Sequence, residues 1–185
     1  MSLLSKLKSH HSKPMGNDEI YTEIFKTISD GDEKTMAEIG ECLSGVKLYA
    51  KNHSEFYDEH NINTATGSEF ALKWLGCVDI LIKNGYAAEI KDDNDFDGFY
   101  EKIGSLKIVK KQNNLPAEDS IYLDYSLASW INQIDFCWSK SGLCMGGIDI
   151  GGDSSIVFVC TVEQLGKLSA LADNAGRKIC RAREL

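Results

Sequence analysis

The chain has 185 residues, 43% hydrophobic and 26% charged, which is enough to bury one hydrophobic core of ordinary composition. Its formal net charge is −8, and after the first fifteen residues, which hold three lysines and no acid, 17 basic side chains face 28 acidic ones. Such an acidic body repels phosphate backbones and anionic lipids, which argues against nucleic acid and favours a basic protein or a cation as partner. The alternative is that the acidity serves only solubility.

We predict two parts: a flexible basic leader over residues 1–16 and a single α+β domain over residues 17–185. Met1 to Pro14 lacks an apolar segment of signal-peptide length, and no apolar run in the sequence approaches the ~20 residues that span a bilayer. We therefore expect a cytoplasmic protein without a membrane span. As an alternative, the leader forms a short basic amphipathic helix on a membrane surface.

The six cysteines show neither a CxxC pair nor a histidine at zinc-ligand spacing. Cys77, Cys160 and Cys180 lie in apolar runs, where free cysteine behaves as a small hydrophobic residue. We expect reduced thiols in a reducing compartment.

Helical spacing of apolar residues dominates the first half of the sequence. It predicts a first helix that is capped by Asn17 or Asp18 and has its apolar residues at 20–28. A second helix follows over 36–46, and then a weak helix and a loop over 50–63. The strongest helix starts at Thr66 or Ser68 and ends at Asn84-Gly85.

The middle of the chain reads as short elements and one long loop. We predict a strand over Tyr86 to Ile90, a short helix over Phe96 to Ile103, and a second strand over Ser105 to Val109. Lys110 to Asp119, which contains two asparagines and a proline, reads as the clearest loop.

The last third predicts a helix, a hairpin, a helix and a strand. Leu127 to Trp138 has one apolar helical face, and the next two runs form strands around a turn at residues 151–154. Thr161 and Gln164 form a capping box that starts the next helix, and Arg177 to Ala182 forms a last strand. Ile156 to Cys160 is apolar throughout, as expected of a strand covered on both faces. Gly146-Gly147 suggests a bulge or a close backbone approach.

These elements predict an α+β fold. A helical N-terminal half packs on a small mixed or antiparallel sheet, and a helix-ββαβ unit completes the chain.

The sharpest chemical motif is the segment Asp93 to Gly98, which matches D-x-D-x-D-G, the first half of a calcium-binding loop. Asp93, Asp95 and Asp97 are its candidate ligands. The twelfth position, which should supply a bidentate glutamate, is Gly104. The alternative is an acidic helix N-terminus stabilised by the helix dipole.

Six aspartates are our candidates for a partner-binding surface: Asp92, Asp93, Asp95, Asp97, Asp149 and Asp153. Asp149 and Asp153 flank the predicted hairpin turn, where turn-stabilising hydrogen bonds are the alternative role.

Other chemistries find little support. The four histidines, at positions 10, 11, 53 and 60, are expected on the surface, and His53 and His60 are too far apart on a helix to share a metal. The glycine-rich segment 146–152 is neither a dinucleotide fingerprint nor a Walker loop. Trp74, Trp130 and Trp138 lie on apolar helical faces and are expected in the core. We therefore predict neither catalytic residues nor a cofactor.

Two segments, Trp74 to Ile90 and Leu127 to Ile179, resemble an uncharacterised bacterial family of unknown function. The resemblance is carried by Gly85-Tyr86-Ala-Ala-Glu89, by an asparagine-containing helix, and by the strand that ends in Gly-Gly-Asp-Ser. This chain has Ser155 where the family often has tyrosine. It has Lys91 where the family would have a tryptophan after the acidic residue. The resemblance implies a bacterial α+β protein and no established activity.

The hypothesis that follows is a non-catalytic acidic module that binds a basic protein, with an immunity protein that inhibits a toxin as its concrete form. Small acidic bacterial immunity proteins of similar build supply that form only by fold-level analogy. The alternative is an enzyme, or an accessory domain, built on a reactive thiol such as Cys144 or on an acidic metal site. The sequence leaves the oligomeric state open.

Overall fold

The computed structural model describes residues 15–91, 95–122, 126–152 and 154–185. It is an α+β fold in which a helical N-terminal half packs on a four-stranded antiparallel sheet, and a helix-ββαβ unit completes the chain. The predicted fold class is confirmed. Most of the predicted leader, 1–16, lies outside the described residues, and its separation from a single domain at 17–185 stays a prediction.

From residue 15 onward, five helices precede the first strand: α1 (Asn17–Ile28), α2 (Glu33–Ser44), α3 (Val46–Asn52), α4 (Ser54–Glu59) and α5 (Glu69–Lys83). The predicted long second helix is interrupted at Gly45, and the predicted weak helix is α4 with the end of α3. Helices as short as α3 and α4 have little stability of their own in water. Their position therefore depends on contacts with α5.

Side-chain caps fix where these helices begin. Helix α1 starts one residue earlier than predicted, with Gly16 as its N-cap, because the Glu19 carboxylate accepts a hydrogen bond from the Gly16 N–H at 3.0 Å. Asp32 caps α2 by accepting from the Thr35 N–H, and Ser68 caps α5, as the sequence predicts.

The sheet contains β1 (Ala87–Ile90), β2 (Leu143–Ile148), β3 (Ser155–Thr161) and β4 (Ile179–Arg181) in the order β1-β3-β2-β4. Every pairing is antiparallel. Strand β3 is central and its residues 156–160 are buried, which confirms the strand predicted to be covered on both faces.

The predicted strand over Ser105 to Val109 is wrong. Helix α6 (Phe96–Ser105) is followed directly by a second short helix, α7 (Lys107–Gln112). Leu106 and Val109 are both buried three residues apart, which continues the apolar side of α6 and suits a helical turn. The Lys107 N–H donates to the Gly85 carbonyl at 2.9 Å and holds α7 beside the turn before β1.

The C-terminal unit matches its prediction closely. Helix α8 (Leu127–Trp138) precedes the β2–β3 hairpin, and helix α9 (Val162–Asn174) follows β3 through the predicted capping box of Thr161 and Gln164. In the described ranges, no helix has the length and apolar character needed to cross a membrane.

The two faces of the sheet bury separate cores. The first face, formed by Cys144, Ile148, Ile156, Phe158 and Cys160, packs against α1, α2, α5 and α9. The second face, formed by Leu143, Met145, Val157 and Val159, packs against α6, α7 and α8. Trp74 belongs to the first core and Trp130 and Trp138 to the second, as expected of core tryptophans.

Gly146 and Gly147 permit a close approach, and both lie in regular strand pairing. A Cβ atom on Gly146 would lie 2.4 Å from the ring of Phe158, and one on Gly147 would lie 2.6 Å from the Leu185 side chain. The predicted close approach is confirmed, and the predicted bulge is wrong.

Candidate functional site

The strand register brings the two acidic segments to the same end of the sheet. Ile90, the last residue of β1, lies opposite Ser155, the first residue of β3. The chain that leaves β1 and the hairpin turn that enters β3 therefore start side by side. We call this region the acidic end and define it by its described candidates, Asp95, Asp97 and Asp149.

Asp95 and Asp97 are exposed at the beginning of α6. The Asp95 carboxylate caps this helix by accepting from the Gly98 N–H at 2.9 Å, and Asp97 lies in its first turn. The alternative of an acidic helix N-terminus thus fits both residues. Asp92 and Asp93, and with Asp93 the third candidate calcium ligand, lie outside the described residues. In the part of the chain that the structure describes, no three His, Cys, Asp or Glu side chains are grouped to hold a metal.

Asp149 has a structural partner as well as an exposed position. Its carboxylate accepts from the Gly151 N–H at 2.8 Å, the turn-stabilising bond that the sequence offered as its alternative role. Its carbonyl accepts from the indole N–H of Trp74 at 3.2 Å, which fastens the hairpin to the first core. Asp153 lies outside the described residues.

One of the bases beside this region, Lys91, is paired with two acids. The Lys91 ammonium lies 2.5 Å from Glu59 and 3.8 Å from Glu89. The hydrogen bond from Lys91 holds the pKa of Glu59 below its usual range, so the pair stays ionised at neutral pH. Lys91 therefore leaves the negative charge of Asp95, Asp97 and Asp149 in place.

A cluster of polar side chains lies at the junction of α3, α4 and α5. Asp79 is buried with only 3% of its side chain exposed, and its Oδ2 accepts from Tyr49 at 2.7 Å and from Lys83 at 2.6 Å. The Nδ1 of His53 lies 3.2 Å from the same oxygen. The cluster attaches the short helix α3 to α5, and burial together with Asp79 raises the pKa of the Tyr49 hydroxyl.

Sequence reasoning missed this cluster. The expectation of surface histidines is wrong for His60 and holds only in part for His53, while His10 and His11 lie outside the described residues. His53 is half-buried with its ring stacked on Tyr49, and His60 is buried with its Nε2 3.6 Å from Glu89. Neither His60 Nε2 nor Glu89 Oε1 has a hydrogen-bond partner among the described residues. One signal was available: Asp79 is a lone carboxylate within the apolar run 77–82, and such a residue requires a partner.

The cysteines are free thiols in the structure. Cys77 and Cys160 are buried, as predicted, Cys180 is half-buried, and Cys137 is exposed. Cys144 lies directly opposite Cys160 on the first face. The contact between the two thiols lowers the pKa of Cys144 and raises that of Cys160. Cys144 itself is fully buried, so reagents in solution have poor access to it.

The comparisons with known proteins identify a family and nothing further. The model of a family described as a domain of unknown function, DUF6630, matches residues 20–183. The predicted resemblance to an uncharacterised family is confirmed. No curated protein and no solved structure matches the chain.

Proposed function

We propose that this protein, which belongs to the DUF6630 family, is a non-catalytic cytoplasmic module that binds a basic protein through the acidic end of its sheet. One observation supports the proposal most directly: the opposition of Ile90 and Ser155 places two acidic segments, far apart in the sequence, at the same end of the sheet. In its concrete form the partner is a toxin and this chain is its inhibitor.

The charge around the acidic end favours a cationic partner. Asp95, Asp97 and Asp149 are exposed, and the sequence adds Asp92, Asp93 and Asp153 to the same two segments. Complementary charge raises the association rate and makes it dependent on salt, because exposed charges are screened over about 8 Å at physiological ionic strength. Binding should therefore weaken steeply as salt is added.

The decisive variant neutralises the site without removing its hydrogen bonds. Asparagine keeps a side-chain oxygen that accepts from the N–H of Gly98 or Gly151, so Asp95→Asn, Asp97→Asn and Asp149→Asn change charge more than turn or cap geometry. The matched control neutralises three exposed acids elsewhere: Glu23→Gln, Glu33→Gln and Glu118→Gln.

The experiment is an affinity capture from native-host extract at low salt, followed by elution at high salt. We expect the wild type and the control triple to retain the same basic protein and the acidic-end triple to lose it. Retention of that protein by all three baits, or recovery of only acidic proteins, would refute the proposal. If the captured protein is a toxin, its purified activity should be inhibited by the wild type and not by the acidic-end triple.

The alternative function, an enzyme or accessory domain that uses Cys144 or an acidic metal site, has one supporting observation. The Cys160 thiol across the strand pair lowers the pKa of Cys144, and nucleophilic cysteines need a depressed pKa. Thiol labelling of the native protein separates the two ideas. The binding proposal expects the exposed Cys137 to react fastest, whereas the enzyme alternative expects rapid labelling of Cys144 that Cys144→Ser removes.

A further inference from the structure

A groove lies at the opposite end of the sheet from the acidic end. Strand β1 begins at Ala87, opposite Phe158, so the last residues of β3 have no β1 residue beside them. Helix α7 and the end of α1 flank this uncovered stretch. The result is a groove of about 440 Å³, within the range of roughly 300–1,000 Å³ that is typical of small-molecule sites.

The floor of this groove is apolar. Ile28, Leu143 and Val159 are buried residues that line it, and Ile108 from α7 is partly exposed beside them. Tyr86 forms part of the wall, and burial together with a hydrogen bond to Asp32 raises the pKa of its hydroxyl to about 12. The phenol is therefore neutral at physiological pH, and the wall presents an uncharged aromatic ring.

Two lysines and two aspartates lie at or beside the mouth. Lys107 and Lys111 lie one helical turn apart on α7, and both line the groove together with one acid, Asp30. Lys111 pairs with Asp30 at 3.2 Å, and Lys107 lies 3.9 Å from Asp32 and above the Tyr86 ring. Lys111 and Asp30 are both about three-quarters exposed, and such pairs contribute only about 0–1 kcal/mol, so the lysines can exchange partners at little cost.

We propose that this groove binds a small organic anion with an apolar body, such as an aryl carboxylate or sulfonate. The apolar body covers Ile28, Leu143 and Val159, and the anionic group pairs with Lys107 and Lys111. A neutral molecule of the same shape gains only the free energy of the apolar contact. A small inorganic anion gains only the attraction to the two lysines. The site is independent of the acidic end and of the protein partner proposed for it.

The test uses two probes that share their apolar part. Anilinonaphthalene sulfonate carries an apolar body and an anionic group, and phenylnaphthylamine carries nearly the same body without charge. We expect the wild type to bind the sulfonate at one saturable site and the neutral probe more weakly. Binding of the neutral probe as tight as that of the sulfonate, or unsaturable binding of the sulfonate, would overturn the proposal.

Charge reversal then locates the site. The double variant Lys107→Glu and Lys111→Glu should weaken sulfonate binding about tenfold or more, because two attractive pairs become repulsive. Lys110→Glu, a single charge reversal at an exposed neighbour on α7 that does not line the groove, should alter affinity by less than about twofold. An equal loss in Lys110→Glu would show that the affinity comes from general charge and would refute the site.

Methyl resonances give a readout that does not depend on mutation. Addition of the sulfonate to the wild type should shift the methyl signals of Ile28 and Ile108. The signals of Ile90 and Ile131, which line a separate groove at the other end of the sheet, should stay in place. The reverse pattern would assign the probe to that other groove and overturn the proposal.

Discussion

The two faces of the sheet bury cores of similar kind but hold their helices by different means. Behind the first face, buried polar groups connect the helices: Asp79 bonds to Tyr49 and Lys83, and the hydroxyl of Tyr57 donates to the Leu72 carbonyl at 2.8 Å. Behind the second face, the carboxylate of Asp135 lies at the sheet margin, where it accepts from the Met145 N–H. The short helices α3 and α4 are thus bonded to another helix, whereas α8 is bonded through Asp135 to the sheet and packs its apolar side on the second face.

The largest expected effect compares the buried tryptophans of the two cores. Trp74 and Trp138 each bury the ring and donate the indole N–H to a loop carbonyl, of Asp149 and of Asn114 respectively. Each change to alanine should lower the free energy of unfolding by about 3–5 kcal/mol, measured by denaturant titration. Phenylalanine at either site should cost less because it keeps most of the packing. A loss below about 1 kcal/mol at one site would mean that its core is not packed as described.

The next largest loss of stability should come from removing the hydrogen bond between Asp79 and Tyr49. Asp79→Ala leaves the Tyr49 hydroxyl without its acceptor in a buried site, and we expect a loss of about 2–3 kcal/mol. Adding Tyr49→Phe removes the stranded hydroxyl, so the double variant should be no less stable than Asp79→Ala alone. Strict additivity of the two changes in denaturant titrations would contradict the bond between these residues.

Adjacent glycines offer a matched comparison of the two faces. Gly146→Ala should cost about 2 kcal/mol, because its Cβ meets the fully buried ring of Phe158. Gly147→Ala should cost less, because its nearest contact is the exposed side chain of Leu185, while the Cα atom of Ala182 lies 3.0 Å away. Gly152→Ala, where nothing lies within 4 Å of the added atom, is the control. Equal melting temperatures for the 146 and 147 variants would contradict the difference in rigidity.

The smallest effects, about 1 kcal/mol, are changes in folding stability with pH. Two carboxylates, Asp32 and Asp135, should change stability with pH in opposite directions. Hydrogen bonds from the Thr35 hydroxyl and N–H hold the pKa of Asp32 at about 2, below its unfolded value. The stability that Asp32 adds over Asp32→Asn should be complete above about pH 4 and should disappear as the pH falls through about 2.

Burial instead raises the pKa of Asp135, although Met145 and Arg181 act in the opposite direction. Its advantage over Asp135→Asn should therefore be largest at acidic pH and should shrink as the pH rises through that raised pKa. Unfolding titrations of both variants from pH 2 to 7 check the two slopes. Parallel slopes would show that the two environments are not distinct.

Local signals were sufficient for the C-terminal elements. The capping box at Thr161, the helical spacing from Leu127 to Trp138 and the glycine turn at 151–152 each specify their structure over a few residues. The strand order could not be read in this way, because no local pattern indicates that β1 pairs with β3. The convergence of the acidic segments was therefore beyond the sequence, although each aspartate was visible in it.

The errors have a common cause in tertiary contacts. Ile108 and Val109 favour a strand by their branched side chains, but the segment Lys107–Gln112 has the Gly85 carbonyl and the second core to pack against, and it becomes helical. His60 looked like a surface residue because its neighbours are polar. Its burial depends on the docking of α4 against the strand that carries Glu89.

The pairing of Ala87 with Phe158 also sets the order of events during synthesis. When the ribosome has released residues 17–90, the segments of α1 to α5 and of β1 have been made but that of β3 has not, so the apolar side of α5 has no complete sheet to cover it. The nascent chain must wait for more than sixty further residues before β3 can dock between its neighbours. Because such distant contacts close slowly, this intermediate is the stage at which a chaperone would be most useful to the cell.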